Sequence, residues 1–122
     1  MELNKVGKIY ERPWGSYKTL GAEKNFQVKV IYVSPQGKLS LQKHLHRSEH
    51  WIVVKGQVKV TKGENESIKN VSDHIFIAKE EVHRIENPTD SEAILIEVQL
   101  GDYLGEDDII RLDDIYGRNS DS

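Results

Sequence analysis

Gln42, His44, His46, Glu49, His50 and His83 carry the nitrogen and oxygen donors from which a metal site is built. Neutral imidazole, carboxylate and amide oxygen together suit a divalent ion such as Zn²⁺, Mn²⁺, Fe²⁺, Co²⁺ or Ni²⁺. Their spacing brings most of them together. In residues 38–46 (KLSLQKHLH) apolar and polar residues alternate. Side chains on a strand alternate with period two, so Leu39, Leu41 and Leu45 fall on one face and Ser40, Gln42, His44 and His46 on the other. The leucine face is expected to be buried, leaving a column of amide and imidazole groups opposite. Arg47-Ser48 reads as a tight hairpin turn, which pairs Glu49 with His46, or with His44 if the loop is longer. Either register puts Glu49 on the face of the column. His50 follows Glu49 and points the other way. A bare His-x-His on a solvated strand face needs no ligand. The added carboxylate, and His83 arriving from a later strand, favour a metal, with His46 either a ligand or a group lining the pocket.

The elements that must position these groups read as strands. Residues 27–33, 38–46, 51–54, 57–61, 68–71, 74–77 and 93–100 are apolar, β-branched or alternating. Turn signals separate them at Pro35-Gln36-Gly37, Lys55-Gly56, Gly63-Glu64-Asn65 and Asn87-Pro88-Thr89-Asp90. Many short strands with regular turns and no sustained helical period indicate an all-β sandwich or barrel. Leu39, Leu41, Val53, Val58, Val60 and Ile96 are expected in its core. Trp51 shares the face of Glu49 and should line the inner wall. Trp14 reads as the anchor of a short N-terminal arm. The acidic C-terminal stretch is expected to hold a short helix around residues 107–112, with Glu106-Asp107-Asp108 at its N-terminus, and a frayed tail over 118–122.

Composition narrows the field. The 122 residues fit a single domain over 1–122. With 17 Lys and Arg against 20 Asp and Glu, the formal charge is −3. The pI near 5.9 gives no basic excess for nucleic acid. Mean hydropathy of −0.59 and short apolar runs give no membrane span. No cysteine is present, which excludes disulfides, a thiolate nucleophile and thiolate-bound metal. The opening MELNKVGKIYERP has no apolar core, so no signal peptide is expected and the chain is placed in the cytoplasm.

The pattern Gly37-x₄-Gln42-x-His44-x₄-Glu49-x₆-Gly56 resembles the first cupin motif, with Gln in place of the usual first His. His83-x₃-Asn87 resembles the end of the second. The segments RPWGSY (12–17), LSLQKHLHRSEHWIVVKG (39–56), VHRIENP (82–88) and EVQLGDYLGEDDIIRLDDIYGR (97–118) are similar to type II phosphomannose isomerases. In that family the cupin domain usually follows a mannose-1-phosphate guanylyltransferase. The resemblance spans nearly the whole chain. It implies a cupin double-stranded β-helix, a jelly-roll barrel with a short N-terminal arm and a short C-terminal helical segment. It also implies one bound divalent metal ion, Zn²⁺ first and Mn²⁺, Co²⁺, Fe²⁺ or Ni²⁺ as alternatives. The motif spacing favours Gln42, His44, Glu49 and His83 as ligands; a plain His-x-His reading takes His44 and His46 instead. Two departures stand out. Ala78-Lys79-Glu80 replaces the usual Pro-x-Gly turn ahead of the second-motif His, and no Gly-rich phosphate loop exists in the chain. Guanylyltransferase activity is therefore not expected of it.

The activity implied is interconversion of mannose 6-phosphate and fructose 6-phosphate, which moves a proton between C1 and C2 through a cis-enediol. It needs an electrophile, supplied by the metal as a Lewis acid, a base within reach of C2, and a phosphate clamp. Glu49 is the base if it does not ligate metal. Arg12, Arg84, Arg111 and Arg118 lie in the family-like segments and carry the planar fork that suits phosphate. Arg111, in a segment that folds over the barrel mouth, is assigned with Glu49 to the catalytic set, and Arg12, Arg84 and Arg118 to substrate binding. Arg84 follows His83 directly, which on a strand turns it to the other face. A cupin epimerase or ketoisomerase acting on nucleotide-linked sugars, which generally uses a His–Tyr pair and no metal, is the alternative enzyme. A non-catalytic sugar-phosphate-binding cupin is the third reading. The expected partners are a small sugar phosphate and a second copy of the chain in a homodimer; the leucine face needs a cover, which either a second sheet of the same chain or that partner subunit provides.

Overall fold

The computed structural model describes residues 4–117, which form strands and turns and no helix. The strands are β1 (Ile9–Arg12), β2 (Gly15–Glu23), β3 (Phe26–Val33), β4 (Leu41–Lys43), β5 (Arg47–Lys55), β6 (Gln57–Lys62), β7 (Asn65–Asn70), β8 (His74–Ile77), β9 (His83–Glu86), β10 (Ala93–Gly101) and β11 (Ile110–Asp113). They make two antiparallel sheets, ordered β1-β2-β3-β10-β5-β8 and β11-β4-β9-β6-β7. The inner faces share one core. Trp14, Ile31, Val33, Trp51, Val53, Ile75, Ile77 and Leu95 come from the larger sheet or its turns, and Val58, Val60 and Ile85 from the smaller. This is the all-β architecture expected from the strand pattern, in the jelly-roll form that the cupin resemblance implies.

The strands that floor the barrel change character along their length. On β10 the inward residues are Ala93 and Leu95, then Glu97 and Gln99. On β3, Val33 and Ile31 lie opposite the first two, and Lys29 and Gln27 opposite the last two. On β5, inward Val53 and Trp51 give way to Glu49 and Arg47. Because register aligns the changes, one end of the interior is apolar and the other is polar and charged.

Several expectations are corrected. Residues 107–112 form no helix. Glu106 and Asp107 make a turn, and β11 pairs with β4 through Ile110↔Lys43 and Arg111↔Gln42. The acidic residues here bind side chains and amides of the barrel instead of capping a helix. Asp108 accepts from the Leu45 and His46 amides at 2.9 and 3.1 Å. The strand expected over 38–46 shortens to β4. Its inward residues are the polar ones: Ser40 and His44 are buried, whereas Leu39 and Leu41 are half-buried and Leu45 is exposed. Leu41 and Leu45 face out because the interior is polar at this level, while Leu39 packs against the core and lines the cavity. Ile96 is likewise only half-buried, on the outer face of β10. Val53, Val58 and Val60 are buried as expected. Arg47-Ser48 is not a hairpin turn but the start of β5; β4 and β5 lie in different sheets, and the chain bends at Leu45-His46 to cross between them.

The N-terminal arm is a hairpin that extends the larger sheet, with β1 pairing β2. Trp14, at its turn, is buried as expected of the anchor. The next residue must be glycine. Gly15 has φ 149°, and a Cβ there would sit 2.0 Å from the Tyr32 carbonyl oxygen.

Candidate metal centre

His44 lies just beyond β4, Glu49 on β5 and His83 at the start of β9, so the ligands come from both sheets. Gln42 lies beside His83 in the β4–β9 register. The ligand atoms of His44, Glu49 and His83 lie within 4.8 Å of one another, and all three residues are buried. His44 Nδ1 is 2.6 Å from the Asp108 carbonyl oxygen, and His83 Nδ1 is 2.9 Å from that of Glu81. A carbonyl only accepts, so each ring holds its proton on Nδ1 and its lone pair on Nε2. Both lone pairs face one carboxylate: His44 Nε2 is 3.3 Å from Glu49 Oε2, and His83 Nε2 is 4.0 Å from Glu49 Oε1. Glu49 is oriented by Trp51 Nε1, which donates to Oε1 at 2.9 Å, and by Arg47 Nε, which donates to Oε2 at 2.8 Å. Trp51 thus lines the inner wall, as its phase with Glu49 indicates.

The electrostatics keep these groups in their ligand forms. Burial pushes the His44 pKa down to about 4, with the Arg47 charge adding to the effect against the pull of Glu49. Burial also lowers that of His83. Burial alone would raise the pKa of Glu49, but Arg47 and the two histidines outweigh it and hold the carboxyl below its usual range. At neutral pH the cluster is two neutral imidazoles and a carboxylate. Each histidine is oriented through its other nitrogen by a backbone carbonyl, the usual outer support of a metal-binding imidazole. The donor set of two neutral imidazoles and a carboxylate would suit a divalent transition ion. Arg47 Nη2, now 3.3 Å from His44 Nε2, would have to yield.

The Ala78-Lys79-Glu80 segment makes its turn despite departing from Pro-x-Gly. Glu80 takes φ 64°, and its amide donates to the His44 carbonyl at 2.7 Å. The altered turn therefore supports a ligand.

The remaining sites divide. Gln42 is half-buried on the cavity wall, where its amide nitrogen donates to Ser40 Oγ at 3.0 Å. His46 does not join the cluster: its Nδ1 is 3.0 Å from Asp108 Oδ1, its ring packs edge-on against Tyr103, and its side chain is 53% exposed. His50 is on the outer face, paired with His74. Arg12 and Arg111 line the cavity. Arg84 does not line it. Its guanidinium donates to the Leu39 carbonyl and to Asp113 on the far side of β9. Arg118 lies outside the described residues.

Sequence reading missed Lys29, Arg47, Glu97 and Glu106, all of which line the cavity. Burial, and then the charge of Glu49, pushes the Glu97 pKa up to about 7. The signal was present: Lys29 is in phase with Ile31 and Val33, and Glu97 with Leu95, so a charged side chain was due to point into the barrel.

Residues 2–114 match the family model described as mannose-6-phosphate isomerase, C-terminal. Over 111 residues the chain is 50% identical to the xanthan biosynthesis protein XanB of Xanthomonas campestris pv. campestris, covering 91% of this chain and 24% of that protein. It is 47% identical to the mannose-1-phosphate guanylyltransferase RfbM of Salmonella typhimurium, covering 84% of this chain and 21% of that one. The chain thus spans about a quarter or less of the length of these relatives. Among solved structures, an RmlC-like cupin from Shewanella frigidimarina superposes with a TM-score of 0.72 at 20% identity, covering 88% of this chain and 96% of that one. That likeness establishes the cupin fold.

Proposed function

The chain belongs to the mannose-6-phosphate isomerase C-terminal family, and from that membership we propose that it is a metal-dependent isomerase interconverting mannose 6-phosphate and fructose 6-phosphate. In this reading it feeds GDP-mannose and polysaccharide synthesis; its Xanthomonas relative is named for the biosynthesis of xanthan. The observation that carries the reading is the convergence of two Nε2 lone pairs on the Glu49 carboxylate in a buried cleft.

His44, Glu49 and His83 would hold the ion, with Gln42 beside them as a further oxygen donor. Zn²⁺ suits this nitrogen and oxygen set, and Mn²⁺, Co²⁺, Fe²⁺ or Ni²⁺ are alternatives. Bound there, the ion supplies Lewis-acid polarisation of the sugar carbonyl. Glu49, held ionised and facing both histidines, serves as a ligand, which leaves proton transfer to another group. Glu97 lines the same cavity, and its carboxyl exchanges a proton near neutral pH. Arg111 and Arg12 stand on the cavity wall to orient the substrate. The polar inner face admits sugar hydroxyls, while Trp51 and Ile85 close the dry end.

A homodimer accompanies this proposal. The outer face of the larger sheet exposes Ile52, Val54, Phe76 and Leu100 around half-buried Ile96 and Val98. A second copy on that face would cover them. Light scattering that gives the mass of one chain at high concentration would exclude it.

A coupled assay on mannose 6-phosphate tests the function. Turnover is expected with one equivalent of divalent ion, and loss of turnover after chelation. Undiminished turnover with no metal detectable would refute the reading and favour metal-free acid–base chemistry on another sugar.

A further inference from the structure

Lys29 is an unusual residue for a barrel interior. It lies on β3 between inward Gln27 and inward Ile31, and its side chain is 4% exposed. A buried ammonium must be paired. Its partner comes from outside the strands: Nζ is 2.6 Å from Oε2 of Glu106, on the segment between β10 and β11. The same oxygen lies 4.0 Å from Arg47 Nη1. The Tyr17 hydroxyl and the Asn4 amide are also within its reach. Lys29 sits 4.4 Å from the Tyr17 ring centroid, and Arg12 5.2 Å from it, with Arg12 Nη2 donating to the Tyr17 hydroxyl. Two cationic groups and a phenol therefore face one carboxylate at the edge of the cavity, and a third cation, Arg12, is bonded to that phenol.

The carboxylate is looser than the two cations that pair with it. The Glu106 side chain is 35% exposed, whereas Lys29 and Arg47 are 4% and 7% exposed. The backbone on either side is fixed independently: Leu104 is buried, and Asp108 is tied to the amides of Leu45 and His46. Glu106 can swing away by side-chain rotation without unpinning its segment. What would remain beside the three ligands is a cradle of donors in which Lys29 has lost its partner while Arg47 stays paired with Glu49. A phosphate monoester carries about two negative charges near pH 7 and three acceptor oxygens, against one charge and two oxygens on Glu106.

We propose that Lys29, with Arg47, Arg12 and the Tyr17 hydroxyl, forms an oxyanion subsite that receives a phosphate monoester, and that Glu106 is its internal stand-in, displaced by the ligand. This rests on the reading that the substrate is a sugar phosphate, and it names the residues that take the phosphate. Glu106 also has a selective role: a neutral sugar offers nothing to exchange for it.

The test titrates inorganic phosphate into the full chain at fixed ionic strength, once after chelation and once with one equivalent of Zn²⁺. Wild type is compared with Glu106→Gln and Lys29→Met. Glu106→Gln should bind phosphate about tenfold tighter and Lys29→Met about tenfold weaker, in both metal states, as expected for adding or removing one charge-assisted contact. If Lys29→Met does not fold, Glu106→Gln decides alone, because a half-exposed amide at this position leaves the core untouched. Unchanged or weaker phosphate affinity in Glu106→Gln overturns the proposal. So does phosphate binding that appears only with Zn²⁺ and ignores both substitutions, since that places the anion on the metal. Turnover is not the readout. The expected pattern without isomerase activity would refute the isomerase reading and leave the subsite standing; activity without the pattern would remove the subsite alone.

Discussion

The two ends of the barrel interior are built on the same strands and held by opposite means. At one end Val33, Val53, Val58, Val60, Ala93 and Leu95 are sealed from water and held by area burial and close packing. At the other, Lys29, His44, Arg47, Glu49, His83, Glu97 and Gln99 are buried to nearly the same degree, and each needs a partner. Some partners come from within, as in the Arg47–Glu49 and Lys29–Glu106 pairs and the bond from Gln27 to Gln99. The lone pairs of His44 and His83 are the donors that point towards a metal. The lesson is that the dry end supplies the stability from which the wet end holds charges at fixed positions. Substitutions should therefore separate: changes at the polar end should alter function more than folding, and changes at the apolar end should do the reverse.

The largest effect is expected at the ligands. His44→Ala or His83→Ala should abolish bound metal and isomerase turnover together, with a folded protein by circular dichroism. Retained stoichiometric metal in either variant would remove that residue from the site. Next is the dry end. Leu95→Ala should lower unfolding stability by about 2–5 kcal/mol in a denaturant titration and leave metal affinity unchanged. A loss below 1 kcal/mol would mean that the apolar end is not the main support.

A smaller effect reads the pH signature of the polar end. Glu97 has a folded pKa of about 7, above the ordinary carboxylate value, so its stabilising contribution is present below about 4.5 and lost as pH rises through 7. Glu97→Gln mimics the protonated form. It should be more stable than wild type above pH 7, by on the order of 1–3 kcal/mol, and indistinguishable from it below pH 4.5. His44 works in the opposite direction. Its pKa is depressed to about 4, so its contribution is present above about 6.5 and lost as pH falls through 4. Thermal unfolding from pH 8 to 4 with both proteins, metal-free, separates the two; equal curves would show that Glu97 is not held protonated. The smallest effect belongs to Leu41→Ala. Since Leu41 is half-buried on the outward face of β4, it should cost about 1 kcal/mol or less, well below the cost at Leu95.

Much of this division was legible in the sequence. Strands β3, β6, β8 and β10 show in their β-branched runs and turn residues. His44, Glu49 and His83 show in their types and spacing. What was not legible depended on partners far away in the chain. The leucines of 38–46 look like a core face in isolation; only the approach of Lys29 and Glu97 from other strands makes the inside polar there and turns Leu41 and Leu45 out, while Leu39 stays against the core. The Arg47-Ser48 turn misled because a hairpin and a crossover between sheets share the same local signal, and choosing between them needs the whole topology. The helix expected at 107–112 failed because its acidic residues have long-range uses, on Lys29 and on the amides of residues 45 and 46. His46 shares the phase of His44 along the strand, yet the bend at Leu45 breaks the alternation and leaves its ring exposed, bonded to the buried Asp108.

The central claim is that both sheets contribute ligands to one metal ion. It is tested most directly by titrating Co²⁺ into the metal-free chain while recording its visible absorption and the heat of binding, in wild type and in His83→Ala. The account expects one ion per wild-type chain, with a spectrum characteristic of nitrogen and oxygen ligation, and a large loss of affinity with an altered spectrum in the variant. Binding of equal affinity and identical spectrum in His83→Ala, or no stoichiometric binding in the wild type, would contradict it.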